Sequence, residues 1–263
     1  MFKIQKTWIA PQWESALKDA GLLDIEAVSK REFDWFETPN HRRGGWSGVT
    51  RIVLNPDAAP TDQQAVFLKI QQNHFYRAPS TFFLKRLSFA REFNALQALA
   101  PLVNCMPKLL QFSQWKHDGN HGALIITEAL EGLEPFDQWL REQKNAPTPH
   151  QSAPTLKALK SIATAAREVH DTGWAHFGFY PKHAFIRKDE NGDYTTCLID
   201  LEKARQPLSS KQSTIEDVSR FLRHSTELNN EEKVAYLRAY FQTDTFSDAQ
   251  KRMIGKMHGG PSV

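Results

Sequence analysis

Two stretches that lie close together in the chain, WAHFGFYPKHAFI (residues 174–186) and CLIDLEKAR (residues 197–205), determine how the rest of the sequence is interpreted. The first stretch places His176 and His183 on either side of a proline, in the pattern H-x-x-x-x-P-x-H. The second contains one aspartate, Asp200, inside an apolar run that is typical of a buried strand. Because a carboxylate in such surroundings needs a partner, both stretches are candidates for a functional site.

The segment that precedes the first stretch is predicted to be a helix. Apolar residues recur at three- and four-residue steps from Leu156 to Val169, and Gly173 follows as a C-cap would. After the first stretch, the Asn-Gly pair at residues 191–192 is typical of a β-hairpin turn. We therefore expect both histidines on a loop that is supported by a rigid helix and followed by two short strands.

The chain upstream of this helix predicts a small, strand-rich region, and the chain after Glu128 is mainly helical, so the fold class is α+β. Alternation and turn residues predict a β-hairpin, helical periodicity predicts a helix after it, and two more strands surround the turn KHDGNHG. The last ten residues are expected to fray. The predicted upstream elements are a short helix at residues 11–21, strands at 48–55 and 64–71, a helix at about 80–100 and strands on either side of residues 116–122.

Composition and charge describe an ordinary globular protein. The 263 residues are enough for one large domain or two closely joined lobes, and 40% are hydrophobic while 24% are charged. A net charge of +3 is too small to argue for binding to nucleic acid. Basic clusters at residues 41–45, 83–92 and 211–224 could face an anionic partner, although a solvated surface is the simpler interpretation of each one.

The two cysteines, Cys105 and Cys197, are too few for a disulfide framework or a zinc site. Both lie in apolar surroundings, so we predict that they are small core residues in a reducing, cytoplasmic setting. The N-terminal residues lack the pattern of a secretory signal, and no segment approaches the roughly 20 apolar residues of a membrane-spanning helix. These patterns predict a soluble protein that could still bind peripherally to a membrane surface.

The parts needed for phosphoryl transfer have candidates in the expected order along the chain. Such chemistry requires a cradle for phosphates, a lysine held on them and a metal that bridges phosphate oxygens. Lys69 is predicted on an interior strand with Glu92 on the next helix as its partner, unless it is an edge-strand lysine that points to water. Gly44, Gly45 and Gly48 could let backbone amides approach phosphates, although a glycine-rich hairpin entry is commonly just a turn.

Asp200 is a natural ligand for Mg²⁺ that also binds ATP oxygens. The alternatives for it are a helix N-cap or an ion pair with Lys203 or Arg205. His183 is placed either as a second metal ligand or as a hydrogen-bond partner of Asp200.

Three further residues complete the candidate site. His176 is predicted to bond to backbone near the strand of Asp200 rather than to act as a general base. Asp217, in TIEDVSRF, either ties down the histidine loop or is an exposed helix acid. Glu128 follows ALIIT and ends that strand. Backbone groups at this point would bind adenine.

The stretches GGWSGVTR, VFLKIQ, REFNAL, HFGFYPKHAFI, LIDLEKAR and EDVSRFLR together resemble the Kdo/WaaP-type lipopolysaccharide kinases of Gram-negative bacteria, from about Gly44 to Leu222. YPKH with LIDLEKAR is especially similar to the InaA-like branch. The resemblance implies a two-lobed, protein-kinase-like fold with an extension at residues 1–40, a β-rich lobe at 41–128 and a helical lobe at 129–263. It also implies ATP- and Mg²⁺-dependent phosphorylation of an inner-core sugar hydroxyl, on heptose or Kdo, at the cytoplasmic face of the inner membrane.

The sequence departs from this family pattern at the catalytic loop. Phe177 occupies the position of the loop arginine and Gly178 that of the catalytic aspartate. Loss of a positioned base costs about 10²- to 10⁴-fold in rate. Because the hydroxyl proton leaves late in a loose transition state, activity could survive, and Lys182, Glu202 or a phosphate oxygen could orient the nucleophile.

These residues are compatible with several functions. The favoured one is a kinase that acts on a lipopolysaccharide core sugar or another anionic saccharide, which the basic clusters would bind. The alternative is a catalytically impaired pseudokinase that binds nucleotide and acts as an envelope or stress regulatory partner. A small-molecule kinase of the aminoglycoside or choline type ranks lowest, because such enzymes usually keep the loop aspartate. A scaffold that binds no nucleotide would require Lys69, Glu92 and Asp200 to be present by chance.

Overall fold

A six-stranded antiparallel sheet forms the centre of the first part of the chain. The structure is a computed structural model, and it describes residues 1–42, 44–77, 84–146 and 152–262. It contains two units. The first consists of Met1–Gln97 and Pro107–Leu130, and the second of Ala98–Met106 and the residues from Glu131 onward.

The elements run as follows along the chain. The strands are Lys3–Ile9 (β1), Asn40–Arg42 (β2), Gly45–Val53 (β3), Ala65–Gln72 (β4), Phe75–Tyr76 (β5), Arg86–Leu87 (β6), Leu109–His117 (β7), Asn120–Glu128 (β8), Glu134–Pro135 (β9), Ala184–Lys188 (β10) and Tyr194–Leu198 (β11). The helices are Glu14–Asp19 (α1), Ile25–Lys30 (α2), Ser88–Leu99 (α3), Phe136–Asn145 (α4), Ser152–Asp171 (α5), Ser210–His224 (α6), Asn230–Phe241 (α7) and Asp248–Ile254 (α8).

Both hairpins predicted for the first unit are present in its sheet, whose strand order is β1-β7-β8-β4-β3-β2. Strand β3 pairs with β4, with Val49 opposite Lys69. Strand β7 pairs with β8 across a two-residue turn in which Asp118 and Gly119 both have positive φ, as the twist of a tight hairpin requires. Because β4 lies between β3 and β8, Lys69 is on an interior strand as predicted.

Alternation along β4 explains how a lysine fits into an apolar run. Val66, Leu68 and Ile70 are buried in the hydrophobic core of the first unit. Lys69 lies between these positions, so its side chain points to the opposite face of the sheet. The sequence VFLKI thus places one cation on the face opposite the apolar core.

The N-terminal residues contribute more to the first unit than the sequence suggested. A 3₁₀ turn at Pro11–Trp13 and α1 replace the single helix expected at residues 11–21, and Gly21 follows with φ of +69°. Strand β1 was not predicted, and it pairs with β7 at the edge of the sheet. Since one edge strand is mostly exposed, its sequence lacks the alternation that identifies half-buried strands.

The second unit follows the predicted helical pattern around α5. Leu159, Ile162, Ala163, Ala166 and Val169 form the buried stripe of α5, whereas Leu156 at its start is 38% exposed. Gly173 follows with φ of +81°, as a C-cap residue would. The expected hairpin is formed by β10 and β11, and β9 adds a third strand to it.

Two boundaries differ from the prediction. The helix expected from about residue 80 begins at Ser88, after the short strand β6, and residues 80–83 lie outside the described residues. The fraying predicted for the last ten residues is wrong for those the structure describes. Ile254 and Met257 are buried, and the backbone N–H of His258 donates to Ser219 Oγ at 3.2 Å. Packing against α6 therefore holds a segment whose glycines suggested mobility.

In the part of the chain that the structure describes, no helix combines the length and the apolar character that are needed to cross a membrane.

Both cysteines are buried, and we expect them to be chemically silent in the folded protein. Burial raises the pKa of the Cys105 thiol and of the Cys197 thiol to about 12 each. Because the thiolate is the reactive form, a disulfide reagent at about pH 8 should label neither thiol in the native protein and both in denaturant. A Leu208→Cys variant is the control, since Leu208 is fully exposed and its replacement should react at once. Rapid labelling of a native thiol without unfolding would contradict the buried positions.

Candidate active site

A buried ion pair in the first unit joins β4 to α3. Lys69 Nζ lies 2.7 Å from Glu92 Oε1, as the sequence predicted. The Lys69 side chain is 17% exposed and that of Glu92 only 4%. Because both groups are largely removed from bulk water, each holds the other in one orientation. A lysine fixed in this way can present its ammonium group to a phosphate.

The three glycines predicted to cradle phosphates have different surroundings. A Cβ on Gly45 would lie 2.3 Å from the backbone oxygen of Gln72, and a Cβ on Gly48 would lie 2.6 Å from the Trp35 ring. Packing within the first unit therefore accounts for glycine at both positions without any ligand. Gly44 has φ of +76° in the turn after β2 and no atom near its Cβ position, so it stays the candidate for approach to a phosphate.

The backbone N–H of Glu128 is not available to adenine. It donates to Lys108 O at 3.0 Å, and the next N–H, of Ala129, donates to Ala65 O at 3.0 Å. The Glu128 carboxylate pairs with Lys108 Nζ at 2.9 Å. These two N–H groups are therefore occupied, and adenine binding by other backbone groups near Glu128 stays a prediction.

Asp217 anchors the histidine loop of the second unit. Its carboxylate is fully buried, and Oδ2 accepts hydrogen bonds from the backbone N–H of His176 at 2.7 Å and from His170 Nε2 at 3.2 Å. The anchoring role considered from the sequence is confirmed, and the alternative of an exposed helix acid is wrong. His170 was missed, although a histidine in the last turn of the buried face of α5 was a signal for it.

Both ring nitrogens of His176 are used in backbone contacts. Nε2 lies 2.9 Å from Ile199 O, which can only accept, so Nε2 carries the proton. Nδ1 then accepts from the N–H of Gly178 at 3.2 Å. The imidazole is thus a brace between the loop and the residue before Asp200, and neither nitrogen is left to act as a general base.

His183 and Asp200 face each other across a short distance. His183 Nδ1 donates to Gly178 O at 2.8 Å, and Nε2 lies 3.3 Å from Asp200 Oδ2. Burial lowers the pKa of the His183 imidazole to about 4, so Nε2 carries a lone pair at neutral pH. Two acceptor atoms therefore point at one another, an arrangement that a cation between them would stabilise.

The backbone at Asp200 supports this orientation. Asp200 has φ of +63°, in the left-handed region, and opens the 3₁₀ turn Leu201–Lys203. Its side chain makes no capping hydrogen bond to that turn, so the N-cap alternative for Asp200 is wrong. A non-glycine residue in this conformation is uncommon, and such residues cluster at functional sites.

Comparison with known proteins gives the ancestry of this arrangement. Residues 26–240, most of the chain, match the lipopolysaccharide kinase (Kdo/WaaP) family. The chain belongs to this family. It is 27% identical to Protein InaA of Escherichia coli (strain K12) over 177 residues, which cover 67% of this chain and 76% of InaA.

One solved structure confirms the fold that the sequence predicted. The structure "WaaP in complex with acyl carrier protein" superposes with a TM-score of 0.62 at 17% identity, and covers 90% of this chain and 89% of that one. A kinase domain of Mycobacterium tuberculosis PknI superposes with a TM-score of 0.43 at 14% identity, over 70% of this chain and 69% of that domain. This lipopolysaccharide kinase family member therefore has the α+β, kinase-like fold, and its family supports phosphotransfer in general.

Of the two facing donors, the Asp200 carboxylate is an oxygen ligand of the kind that Mg²⁺ prefers, whereas the His183 imidazole nitrogen suits Mg²⁺ less well. Two neighbouring ligands of an octahedral ion with bonds of about 2.1 Å lie about 3 Å apart, close to the 3.3 Å between His183 Nε2 and Asp200 Oδ2. The described residues contain no group of three or more His, Cys, Asp or Glu side chains that could hold a metal. Mg²⁺ commonly takes one or two carboxylate ligands and completes its shell with water and substrate phosphates, so Asp200 is the residue that fits the ion.

Gly178, where the resemblance places the catalytic aspartate of the family, is a buried loop residue. Gly178 lies between Phe177, which has φ of +55°, and the buried Phe179. Lys182 and Glu202 were considered as residues that could orient the nucleophile in place of an aspartate. Lys182 is exposed and Glu202 is half-buried, and orientation of the nucleophile by either one stays a prediction. The nearest side chains to a Cβ at Gly178 are those of His176 and of Lys203, which the sequence had suggested only as an ion-pair partner of Asp200.

The Lys69–Glu92 pair predicts a specific pattern of stability. A Glu92→Leu variant should lose about 3 kcal/mol in its free energy of unfolding, because it leaves a buried ammonium group without its carboxylate. The double variant Lys69→Met, Glu92→Leu should regain most of that loss, since an apolar pair can replace a buried ion pair at little cost. Urea denaturation measures both.

A matched control is the exposed pair of Glu26 and Lys30, whose ions lie 2.6 Å apart. Glu26→Leu should change stability by less than about 1 kcal/mol. Equal losses for Glu92→Leu and Glu26→Leu would show that the buried pair is not special.

Proposed function

We propose that this chain transfers the γ-phosphoryl group of ATP to a sugar hydroxyl of the lipopolysaccharide inner core, on heptose or Kdo. The observation that carries the proposal is the facing pair of His183, at the end of the loop that the fully buried Asp217 anchors, and Asp200, which precedes the turn Leu201–Lys203. Membership of the lipopolysaccharide kinase family supplies the reaction class. We place the reaction in the cytoplasm, at the surface of the inner membrane where the acceptor is made.

Each part of the chain has a defined task in this reaction. Lys69, held by Glu92, would bind the nucleotide phosphates as a fixed positive charge. Asp200, with His183 beside it, would hold Mg²⁺, which when bound neutralises charge on the phosphate oxygens. Asp217 and His176 would keep the loop backbone in place, so that binding of ATP requires little reorganisation.

The basic end of α6 supports an anionic acceptor. Arg223 and His224 are exposed in its last turn, where positive charge also complements the helix dipole. The His224 ring lies 4.9 Å from that of Tyr180, and the Arg220 guanidinium lies 5.7 Å from the same ring. Because Tyr180 follows Gly178 by two residues, a phosphate or carboxylate bound at this end of α6 would place its sugar beside the loop.

A catalytically impaired nucleotide-binding protein is the second candidate, and Gly178 is the observation that favours it. Without a loop aspartate, the site could hold ATP and Mg²⁺ and report their presence to an envelope or stress partner. WaaP was solved in complex with acyl carrier protein, so a protein partner of that kind is a further proposal for this chain.

The deciding experiment combines transfer and binding. Purified protein with γ-labelled ATP, Mg²⁺ and deacylated, dephosphorylated core oligosaccharide should give a labelled saccharide, identified by mass spectrometry. Asp200→Asn should lower the rate by more than about 100-fold because it removes a metal ligand. Asp57→Asn, at an exposed turn, is the control and should match the unmodified protein.

The same experiment separates the two candidates. Binding of ATP without transfer to heptose- or Kdo-containing acceptors would favour the impaired protein. Absence of both binding and transfer would overturn both candidates.

The acceptor surface gives a separate prediction. A double Arg223→Ala, His224→Ala variant should raise KM for the anionic acceptor about five- to tenfold, since exposed charges contribute up to about 1 kcal/mol each, and should leave the KM for ATP unchanged. Arg252→Ala, exposed on α8, is the control. An unchanged acceptor KM would place the acceptor elsewhere.

A further inference from the structure

The space beside Gly178 is bordered by a lysine from the second functional stretch. A Cβ at Gly178 would lie 3.3 Å from His176 Nδ1 and 3.8 Å from Cδ of Lys203. The carbon chain of Lys203 therefore runs along the place that a loop aspartate would occupy. Its ammonium group is two bonds further on, so it lies within about 6 Å of that Cβ position.

The backbone on both sides of Lys203 is fixed. Its 3₁₀ turn is closed by the N–H of Ala204, which donates to Leu201 O at 2.9 Å. The following residue, Arg205, forms an antiparallel bridge with Ala175 through two hydrogen bonds of 3.0 and 3.1 Å. The backbone of Lys203 thus belongs to the turn that follows Asp200, and the bridge formed by the nearby Arg205 connects it to the loop that contains Gly178.

The side chain of Lys203 is exposed, and no carboxylate of the described residues forms an ion pair with it. Asp200 Oδ2 lies 3.3 Å from His183 Nε2, so this oxygen contacts the histidine. A lysine ammonium is a compact point charge with three donors, and phosphate oxygens are its natural partners. The Arg205 guanidinium, 3.4 Å from the Phe177 ring, borders the other side of the loop.

We infer that Lys203 is a catalytic residue that contacts the γ-phosphoryl group of ATP beside Gly178. The inference rests on the proposed function and specifies how a loop without an aspartate could still support transfer. Lys203 stabilises the negative charge on the γ-phosphoryl oxygens, whereas an aspartate would have received the proton of the acceptor.

The proton then needs another destination, because an ammonium group cannot accept it. The acceptor oxygen forms a bond to the γ-phosphorus while the bond from phosphorus to the β,γ-bridging oxygen breaks, and ADP leaves with that electron pair. The hydroxyl proton moves to an oxygen of the transferred phosphoryl group and later to water. A loose transition state, in which the proton leaves late, permits this route.

Nucleotide affinity tests the inference independently of turnover. We expect Lys203→Met to weaken ATP binding about tenfold in the presence of Mg²⁺ and to change ADP binding less than about twofold, because only ATP carries the contacted group. Lys203→Arg should retain most of the preference for ATP. Lys188→Met, an exposed lysine at the end of β10, is the control, and isothermal titration calorimetry measures all four proteins.

The outcomes distinguish this inference from the proposed function. If Lys203→Met binds ATP and ADP as the unmodified protein does, the inference is overturned even where transfer occurs. If the unmodified protein transfers no phosphate but Lys203→Met loses the preference for ATP, the contact of Lys203 with the γ-phosphoryl group stands, whereas its catalytic role and the proposed function fail. If the unmodified protein binds neither nucleotide, both fail. Where transfer occurs, Lys203→Met should lower kcat and leave the KM for the acceptor unchanged.

Discussion

The candidate site depends on one interaction, the hydrogen bond from the backbone N–H of His176 to the buried carboxylate of Asp217. A carboxylate that is shielded from water needs hydrogen-bond donors from the protein. Breaking this bond therefore costs much free energy, and the bond holds the loop in one conformation. From this anchor, the His176 ring reaches Ile199, and Gly178 O fixes the tautomer of His183. The backbone that precedes Asp200 is therefore linked to α6, through the loop, by hydrogen bonds.

The ion pair of Lys69 and Glu92 in the first unit contributes orientation rather than stability. A buried salt bridge contributes little net stability compared with apolar packing, since desolvation opposes the attraction between the charges. The sheet already has an apolar core on the other face of β4, so the pair of Lys69 and Glu92 is not needed to complete that core. Its value lies in holding an ammonium group in one place, which is what recognition of a phosphate requires.

The missing aspartate changes what the second unit can contribute rather than removing its chemistry. Phosphoryl transfer relies mainly on positioning and on neutralisation of charge, and general-base assistance is a smaller contribution. In our inference, a loop whose glycine leaves space for Lys203 would exchange a proton acceptor for a positive charge. His183 Nε2 lies 3.3 Å from Asp200 Oδ2, and a cation held between these two groups stays a prediction.

The sequence by itself determined the parts that depend on neighbours along the chain: the two hairpins of the sheet, the buried stripe of α5, the order of Lys69, Glu92 and Asp200, and the family. Local periodicity and turn chemistry are written into consecutive residues, so they can be read without a structure. Tertiary structure alone decided the edge strand β1, the packed C-terminal residues, the sheet hydrogen bond of the Glu128 N–H, and the position of Lys203 beside Gly178. Each of these depends on atoms brought together from distant parts of the chain, and residue type and spacing do not specify which partner fills a given space.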